Sequence, residues 1–211
     1  MLRMNLSSYS SLLCGRMVNC EWNLKYSYLL STKTNTTSVA ALAHTCCSGS
    51  MEQVMVEYLF GRRKATQVAH DVWKHVVKKG DAVVDATCGN GYDTLALLKL
   101  IADKTQRGRV YGIDVQKIAI ESTSSLLDQF ASPDEKELVE LFVMSHSHME
   151  DIVPNDVAVR LVAFNLGYLP GGDKKIITRS GTTLLALEAA KRILAPGGLI
   201  SIVTYVGHPG G

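Results

Sequence analysis

The sequence lacks the features of several protein classes. Its longest apolar runs, such as Leu199 to Val206, fit a strand and are far shorter than the roughly 20 residues of a membrane span. The net charge of +2 is too small to indicate a nucleic-acid binder by composition. The five cysteines are odd in number and lack the paired spacing of a zinc site, so we interpret them as reduced thiols and predict no metal site. The chain also has no internal repeat and no aromatic base-reading motif.

What is present indicates one globular domain behind an unusual leader. With 211 residues, of which 46% are hydrophobic, the chain can bury one sizeable core. Residues 1–50 are rich in Ser and Thr, carry several basic residues and contain a single acid, Glu21. This composition resembles an organellar transit peptide, with an untargeted leader as the alternative. We therefore expect a disordered leader over 1–50 and a folded domain over 51–211.

Within the domain, segments of strand and helix character alternate, which predicts a doubly wound, mostly parallel α/β sheet. Ala195 to Gly198 predicts a stop before the last strand. The predicted strands are Ala82 to Asp85, Val110 to Asp114, Val139 to Met144, Val157 to Asn165 and Leu199 to Tyr205. The predicted helices are Ala65 to Val77, Thr94 to Leu100, Lys117 to Phe130 and Thr182 to Leu194.

The most informative segment is DATCGNGYDT, residues 85–94, which ends the first strand and opens a helix. Gly89 and Gly91 allow turn angles that a Cβ would forbid and let the backbone approach a ligand. About twenty residues later Asp114 closes the next strand, the usual position of a carboxylate that binds a ribose. Gln116 follows at a place suited to an adenine edge. The spacing predicts a nucleotide-type cofactor at this turn, rather than a tight turn in a nonbinding α/β protein.

Two cofactors fit this geometry. A dinucleotide needs a third glycine and amides aimed at a pyrophosphate, but Thr94 occupies the third glycine position. S-adenosylmethionine fits better, because its methionine carboxylate and ammonium need both donors and acceptors. Asn90 and Asp93 provide both. The sequence therefore favours S-adenosylmethionine over NAD.

Other polar segments end later strands and should meet at the same crevice. His146, in the segment Ser145 to His148, is expected to flank the adenine, with an exposed loop position as the alternative. The segment Asn165 to Gly172 ends the next strand and should face the place where methyl donor and acceptor meet. An ordinary glycine-rich loop before a helix is the alternative there.

Four segments together carry a resemblance to a known family: DATCGNGYDT, GIDVQ, FNLGYLPGGDK and YVGHPGG. With these segments in this order, the sequence resembles the MnmM/YtqB family of Rossmann-like class I methyltransferases over about Ala69 to Gly211. The resemblance implies S-adenosylmethionine-dependent methylation of the aminomethyl group of 5-aminomethyl-2-thiouridine at the tRNA wobble position. The implied partner is the tRNA anticodon loop, with no membrane. Alternatives are an rRNA or small-amine acceptor, or an inactive remnant that binds cofactor or RNA.

The resemblance and the residues together predict roles in the site. Asn165 would orient the acceptor amine, Tyr168 would stack on or bond the uridine, and His208 would accept a proton. The predicted cofactor-binding residues are Asp85, Thr87, Gly89, Asn90, Gly91, Asp93, Thr94, Asp114, Gln116, His146, Asn165 and Gly167. The predicted substrate-binding residues are His70, Tyr168, Leu169, Pro170, Gly171, Gly172, Lys174 and Arg179.

The end of the sequence departs from the family pattern. The family continues for some tens of residues with a final strand hairpin, whereas this sequence stops at Gly211. We therefore expect an unpaired apolar edge on the last strand and self-association through it. The oligomeric state stays open, with a homodimer as one option. The leader predicts a chloroplast or mitochondrion, or the cytoplasm if it is not a transit peptide.

Overall fold

A computed structural model describes residues 51–104, 107–173 and 175–205, together with the backbone of residues 27–28. The strands are β1 (Ser27–Tyr28), β2 (Ala82–Asp85), β3 (Arg109–Asp114), β4 (Val139–Val143), β5 (Val159–Leu166) and β6 (Leu194–Thr204). The helices are α1 (Met51–Leu59), α2 (Ala65–Val76), α3 (Tyr92–Ile101), α4 (Lys117–Phe130), α5 (Pro133–Lys136) and α6 (Ser180–Ile193), with a 3₁₀ helix at His146–Asp151. The predicted alternation of strands and helices is confirmed.

The strands form one sheet in the order β1-β6-β5-β2-β3-β4, and every pair is parallel. The chain runs outward from β2 through β3 to β4, then returns to place β5 on the other side of β2. The strand order therefore reverses between β2 and β5. Ligands of doubly wound sheets bind outside the carboxyl ends of the strands at such a reversal.

Helices cover both faces of this sheet, because successive strand residues point to opposite sides. On one face, Val83 packs in a cluster with Trp73 of α2 and Leu97 of α3. On the other face, Val84 packs with Ala186 of α6. The near-continuous apolar sequence of the inner strands follows from burial on both sides.

The last strand begins earlier than predicted. Helix α6 ends at Ile193 and β6 starts at Leu194, so the expected stop from Ala195 to Gly198 lies inside the strand. There β6 advances from Leu194 to Leu199 while β5 advances only from Val159 to Leu161. The pairing is irregular there, and proline and glycine are tolerated because they make no regular ladder pair.

The outer edge of β6 also differs from the prediction. Ser27–Tyr28 pairs in parallel with Ser201 and Ile202, so the expectation of a wholly unpaired edge is wrong at these two positions. The rest of the predicted leader lies outside the described residues, as do Val206 to Gly211. None of the helices in the described part of the chain is long and apolar enough to cross a bilayer.

Candidate active site at the carboxyl ends of β2 and β5

The carboxyl ends of β2 and β5 are joined directly at the strand-order reversal. The backbone N–H of Ala86 donates to the carbonyl of Ala163 at 2.8 Å. Two residues later, the N–H of Asn165 donates to Thr87 Oγ1 at 2.7 Å. These bonds place the glycine turn that follows β2 next to the loop that follows β5, as the sequence predicted.

The Asp85 side chain accepts two hydrogen bonds from the start of the turn and the helix after it. Its Oδ1 accepts the N–H of Thr87 at 3.1 Å, and its Oδ2 accepts the Thr94 hydroxyl at 2.6 Å. The side chain is fully buried, and burial raises the pKa of the Asp85 carboxyl to about 7, with the nearby charge of Asp93 as the second cause. Both oxygens serve the protein, so Asp85 supports the turn, and a direct contact with cofactor stays a prediction.

The glycine turn is closely packed. Gly91 has φ +86°, and a Cβ there would lie 2.8 Å from the Thr123 Cα on α4. Thr123 is fully buried and its hydroxyl donates to the carbonyl of Gly89 at 3.3 Å. Because L side chains rarely adopt this φ and the space is filled, only glycine fits at position 91 without a shift.

Asp114 ties the end of β3 to the same turn. Its Oδ2 accepts the N–H of Gly89 at 3.0 Å and its Oδ1 accepts the N–H of Gln116 at 2.9 Å. The residue is half-buried, and each carboxylate oxygen has a further lone pair. Asp114 can therefore order the turn and still accept hydroxyl groups from a ligand.

Asp93, in the first turn of α3, connects three elements. Its Oδ1 contacts Nε2 of His70 on α2 at 2.6 Å, and its Oδ2 accepts the side-chain N–H of Asn165 at 3.1 Å. Asp93 as a whole is 9% exposed. The structure thus brings together three residues that the sequence assigned to different roles.

The loop after β5 has internal hydrogen bonds and also contacts the glycine turn. Gly167 and Thr178 exchange bonds, with Gly167 N–H donating to Thr178 Oγ1 at 3.0 Å and Thr178 N–H donating to the Gly167 carbonyl at 2.9 Å. The buried Leu169 lies next to Gly89, and Asn90 Nδ2 donates to the Pro170 carbonyl at 3.3 Å. Tyr168, by contrast, is exposed.

His146 lies in the 3₁₀ helix and not in an exposed loop. It is buried, and its ring meets the Phe164 ring edge-on at 5.9 Å and 78°. Burial lowers the pKa of the imidazole below its ordinary value, and Nε2 has no hydrogen-bond partner. The neutral ring fits the predicted position beside an apolar ring system, and the adenine contact stays a prediction. His148 is exposed and lies 3.4 Å from Asp151.

Two predicted site residues, His208 and Lys174, lie outside the described residues. Arg179 is exposed at the N-terminus of α6, and Gly171 and Gly172 lie in the loop beyond Leu169. Their predicted substrate contacts stay predictions.

Sequence reasoning missed Thr123, Thr178 and Tyr205. Thr123 could have been found, since it stands at helical spacing between the apolar residues Ala119 and Leu127 on the buried face of α4. Tyr205 follows β6 at the same end of the sheet, near Gly167, and burial together with the charge of Asp93 raises its pKa.

Known proteins with similar sequence and fold indicate the family of this chain. The family model described as "Putative rRNA methylase" matches residues 110–211. A crystal structure of a "putative rRNA-methylase" from Clostridium thermocellum superimposes with a TM-score of 0.64 at 41% sequence identity, covering 70% of this chain and 75% of that one. The chain belongs to this rRNA methylase family. Its fold is that of the class I Rossmann-like methyltransferases.

Two further relatives bear on the site. A "putative methyltransferase" from Streptococcus mutans, solved in complex with SAH, superimposes with a TM-score of 0.56 at 32% identity, covering 66% of this chain and 72% of that one. The Arabidopsis thaliana "tRNA (mnm(5)s(2)U34)-methyltransferase, chloroplastic" is 64% identical over 163 residues, which are 76% of this chain and 60% of the relative. The chain thus spans less than two thirds of the length of this curated relative.

Proposed function

We propose that this rRNA methylase family member binds S-adenosylmethionine and methylates the aminomethyl nitrogen of 5-aminomethyl-2-thiouridine at the wobble position of tRNA. The proposal extends to chloroplast tRNA, since the Arabidopsis relative carries that name. The main support for this function is the orientation of the Asn165 side chain. Its amide nitrogen donates to Asp93, so the Oδ1 atom of Asn165 remains to accept an amine N–H at the end of β5.

The charges around the crevice fit S-adenosylmethionine better than a dinucleotide. Asp85, Asp93 and Asp114 are grouped around the start of α3, where a pyrophosphate would otherwise bind. A sulfonium and an ammonium are favoured by the carboxylates of Asp93 and Asp114, which would repel phosphate. Thr94, at the third glycine position of the dinucleotide pattern, is buried and bonded to Asp85.

Named residues would hold each part of this cofactor. Asp114 would accept the ribose hydroxyls, while the amides and side chains between Thr87 and Asp93 would bind the methionine end. When bound, the cofactor supplies a methyl group on an already activated sulfonium. The protein's task is to hold the acceptor nitrogen in line with that methyl group, which favours orientation over covalent catalysis.

The acceptor side fits an amine presented by RNA. The Asn165 Oδ1 would accept an N–H of the aminomethyl group, and the exposed Tyr168 ring would stack on a base, as aromatic side chains do in single-stranded RNA sites. Arg179, exposed at the start of α6, would contact the phosphate backbone.

Cofactor binding is tested by calorimetry with the wild-type chain and Asp114→Ala. The loss of charge-assisted hydrogen bonds to the ribose should weaken binding by roughly 10- to 100-fold. Asp128→Ala, on the exposed face of α4, is the matched control and should bind normally. Unchanged affinity in a folded Asp114→Ala protein, or tight NAD binding without S-adenosylmethionine binding, would refute the cofactor assignment.

The acceptor is tested with anticodon stem-loop RNA that carries 5-aminomethyl-2-thiouridine at the wobble position. Nucleoside mass spectrometry should show one added methyl group on the aminomethyl nitrogen. An RNA of the same sequence with unmodified uridine should gain none. Methylation of rRNA fragments or free amines at equal rates would contradict the proposed substrate.

A further inference from the structure

His70 enters the crevice from α2, outside the strand ends that form the rest of the site. Its Nε2 lies 2.6 Å from Asp93 Oδ1, and its ring packs on Trp73 with a centroid distance of 4.7 Å and a tilt of 38°. Trp73 is almost fully buried, so it gives the ring a fixed support. The imidazole is held on two sides and remains partly open to solvent.

We propose that His70 accepts the proton that the acceptor amine must lose before methyl transfer, with Asp93 holding its ring in place. The proposal rests on the proposed function, because it concerns the same acceptor. It assigns proton removal to a residue of α2, whereas the sequence pointed to His208 near the end of the chain.

The chemistry of the acceptor requires such a group. An alkyl amine is mostly protonated near neutral pH, and an ammonium has no lone pair with which to attack a methyl group. His70 would take one proton from the ammonium and become an imidazolium. The neutral nitrogen then forms its bond to the methyl carbon as the carbon–sulfur bond breaks, leaving a secondary ammonium and a neutral thioether. The imidazolium returns its proton to water, so charge and atoms balance.

The hydrogen bonds fix which ring nitrogen can act. A carboxylate only accepts, so Nε2 carries the hydrogen that points at Asp93, and in the neutral imidazole Nδ1 is then the atom with the lone pair. The Asp–His pair therefore has the arrangement in which a carboxylate sets the tautomer of a general base and stabilises its charged form. The other oxygen of Asp93 holds Asn165, so one carboxylate positions both the proton acceptor and the amide that orients the amine.

The neighbouring titratable groups are less suited to the task. Asp85 is fully buried with both oxygens bonded within the turn. Asp93 uses one oxygen for His70 and the other for Asn165. Tyr205 also responds to the charge of Asp93, and its raised pKa keeps the phenol protonated near neutral pH. Among the described groups around Asp93, His70 is thus the one that combines a ring nitrogen outside these hydrogen bonds with access to solvent.

The test measures single-turnover methyl transfer to the aminomethyl-containing stem-loop RNA across pH 6 to 10. His70→Ala should lower the rate about 100-fold or more near pH 7, in the range typical of a lost general base. Its rate should climb with pH until the amine loses its own proton, and added imidazole should restore part of the loss. His75→Ala, an exposed histidine on the same helix, is the matched control and should follow the wild-type profile.

The possible results are distinguishable. Normal S-adenosylmethionine affinity in His70→Ala, with a changed pH profile and imidazole rescue, supports the proposal. A wild-type pH profile in His70→Ala overturns the role of His70 and leaves the proposed function intact. Equal loss at every pH without rescue also overturns it, since that indicates a structural role. A wild-type chain that binds the cofactor but leaves this RNA unmethylated overturns the proposed function and this inference with it.

Discussion

The turn after β2 and the loop after β5 face one crevice, but they are held in different ways. The turn is bound by the buried carboxyl of Asp85, by Asp114 and by the packed Thr123. The loop is closed mainly by Gly167 and Thr178, and it presents the exposed Tyr168. This difference matches the two tasks of the proposed methyl transfer. A rigid turn suits a constant cofactor, and an open loop suits a large substrate that arrives from solvent.

The largest expected difference between the turn and the loop concerns two glycines with the same backbone angle. Gly91 in the turn and Gly171 in the loop both have φ +86°, but a Cβ at Gly91 meets Thr123 backbone at 2.8 Å and a Cβ at Gly171 meets nothing within 4 Å. Gly91→Ala should lower the free energy of unfolding by about 2–5 kcal/mol through strain and overpacking. Gly171→Ala should cost only the strain, about 1–2 kcal/mol. Denaturant unfolding of both variants measures the difference, and equal losses would contradict it.

The buried carboxyl in the turn should also make stability depend on pH. The pKa of Asp85 is raised to about 7 in the folded protein, so between about pH 4 and 7 the folded state keeps a proton that the unfolded state releases. Its stabilising contribution is full below that window and is lost as the pH rises through it, by on the order of 2–4 kcal/mol.

Asp85→Asn stays neutral and should remove this part of the pH dependence. Unfolding free energies of the wild type and the variant at pH 5 and pH 8 give the measurement. Asp128→Asn, on the surface of α4, controls for general charge effects and should retain the wild-type slope. If the unfolding free energies of Asp85→Asn and the wild type change equally between pH 5 and pH 8, Asp85 is ionised in the folded protein at neutral pH.

On the loop side, Asn165→Ala should separate the two tasks. The variant should bind S-adenosylmethionine nearly as well as the wild type but lose about 100-fold or more in turnover, because the amide orients the acceptor and not the donor. Asn155→Ala, at an exposed site before β5, is the control. Near-normal single-turnover rates in Asn165→Ala would move the acceptor site elsewhere.

The smallest expected effect concerns the exposed ring of the loop. Tyr168→Ala should weaken binding of the stem-loop RNA by roughly tenfold, the loss of one stacked base, while leaving cofactor affinity unchanged. Phe130→Ala removes an exposed ring at the far end of α4 and should leave RNA binding unaltered. Filter binding at fixed salt concentration gives both values. Equal effects of the two substitutions would argue against a specific stack.

Local signals were strong enough to predict most of the fold. Helix Lys117–Phe130 and strand Ala82–Asp85 have the predicted bounds, because apolar period and glycine punctuation agree there. The predicted start of β6 was wrong, because a proline and two glycines signal a stop unless a neighbouring strand pairs on both sides of them. Likewise, the segment after β4 forms a 3₁₀ helix that buries His146, which its polar sequence did not indicate.

The parallel α/β class, the glycine turn and the acids at the ends of β2 and β3 could be predicted from the sequence. They depend on local periodicity and on the backbone angles that glycine allows. That Asp93 joins His70 to Asn165 follows only from the folded arrangement. Those residues stand 23 and 72 positions from Asp93 along the chain. Contacts over such separations depend on strand order and helix packing, and no local pattern carries them.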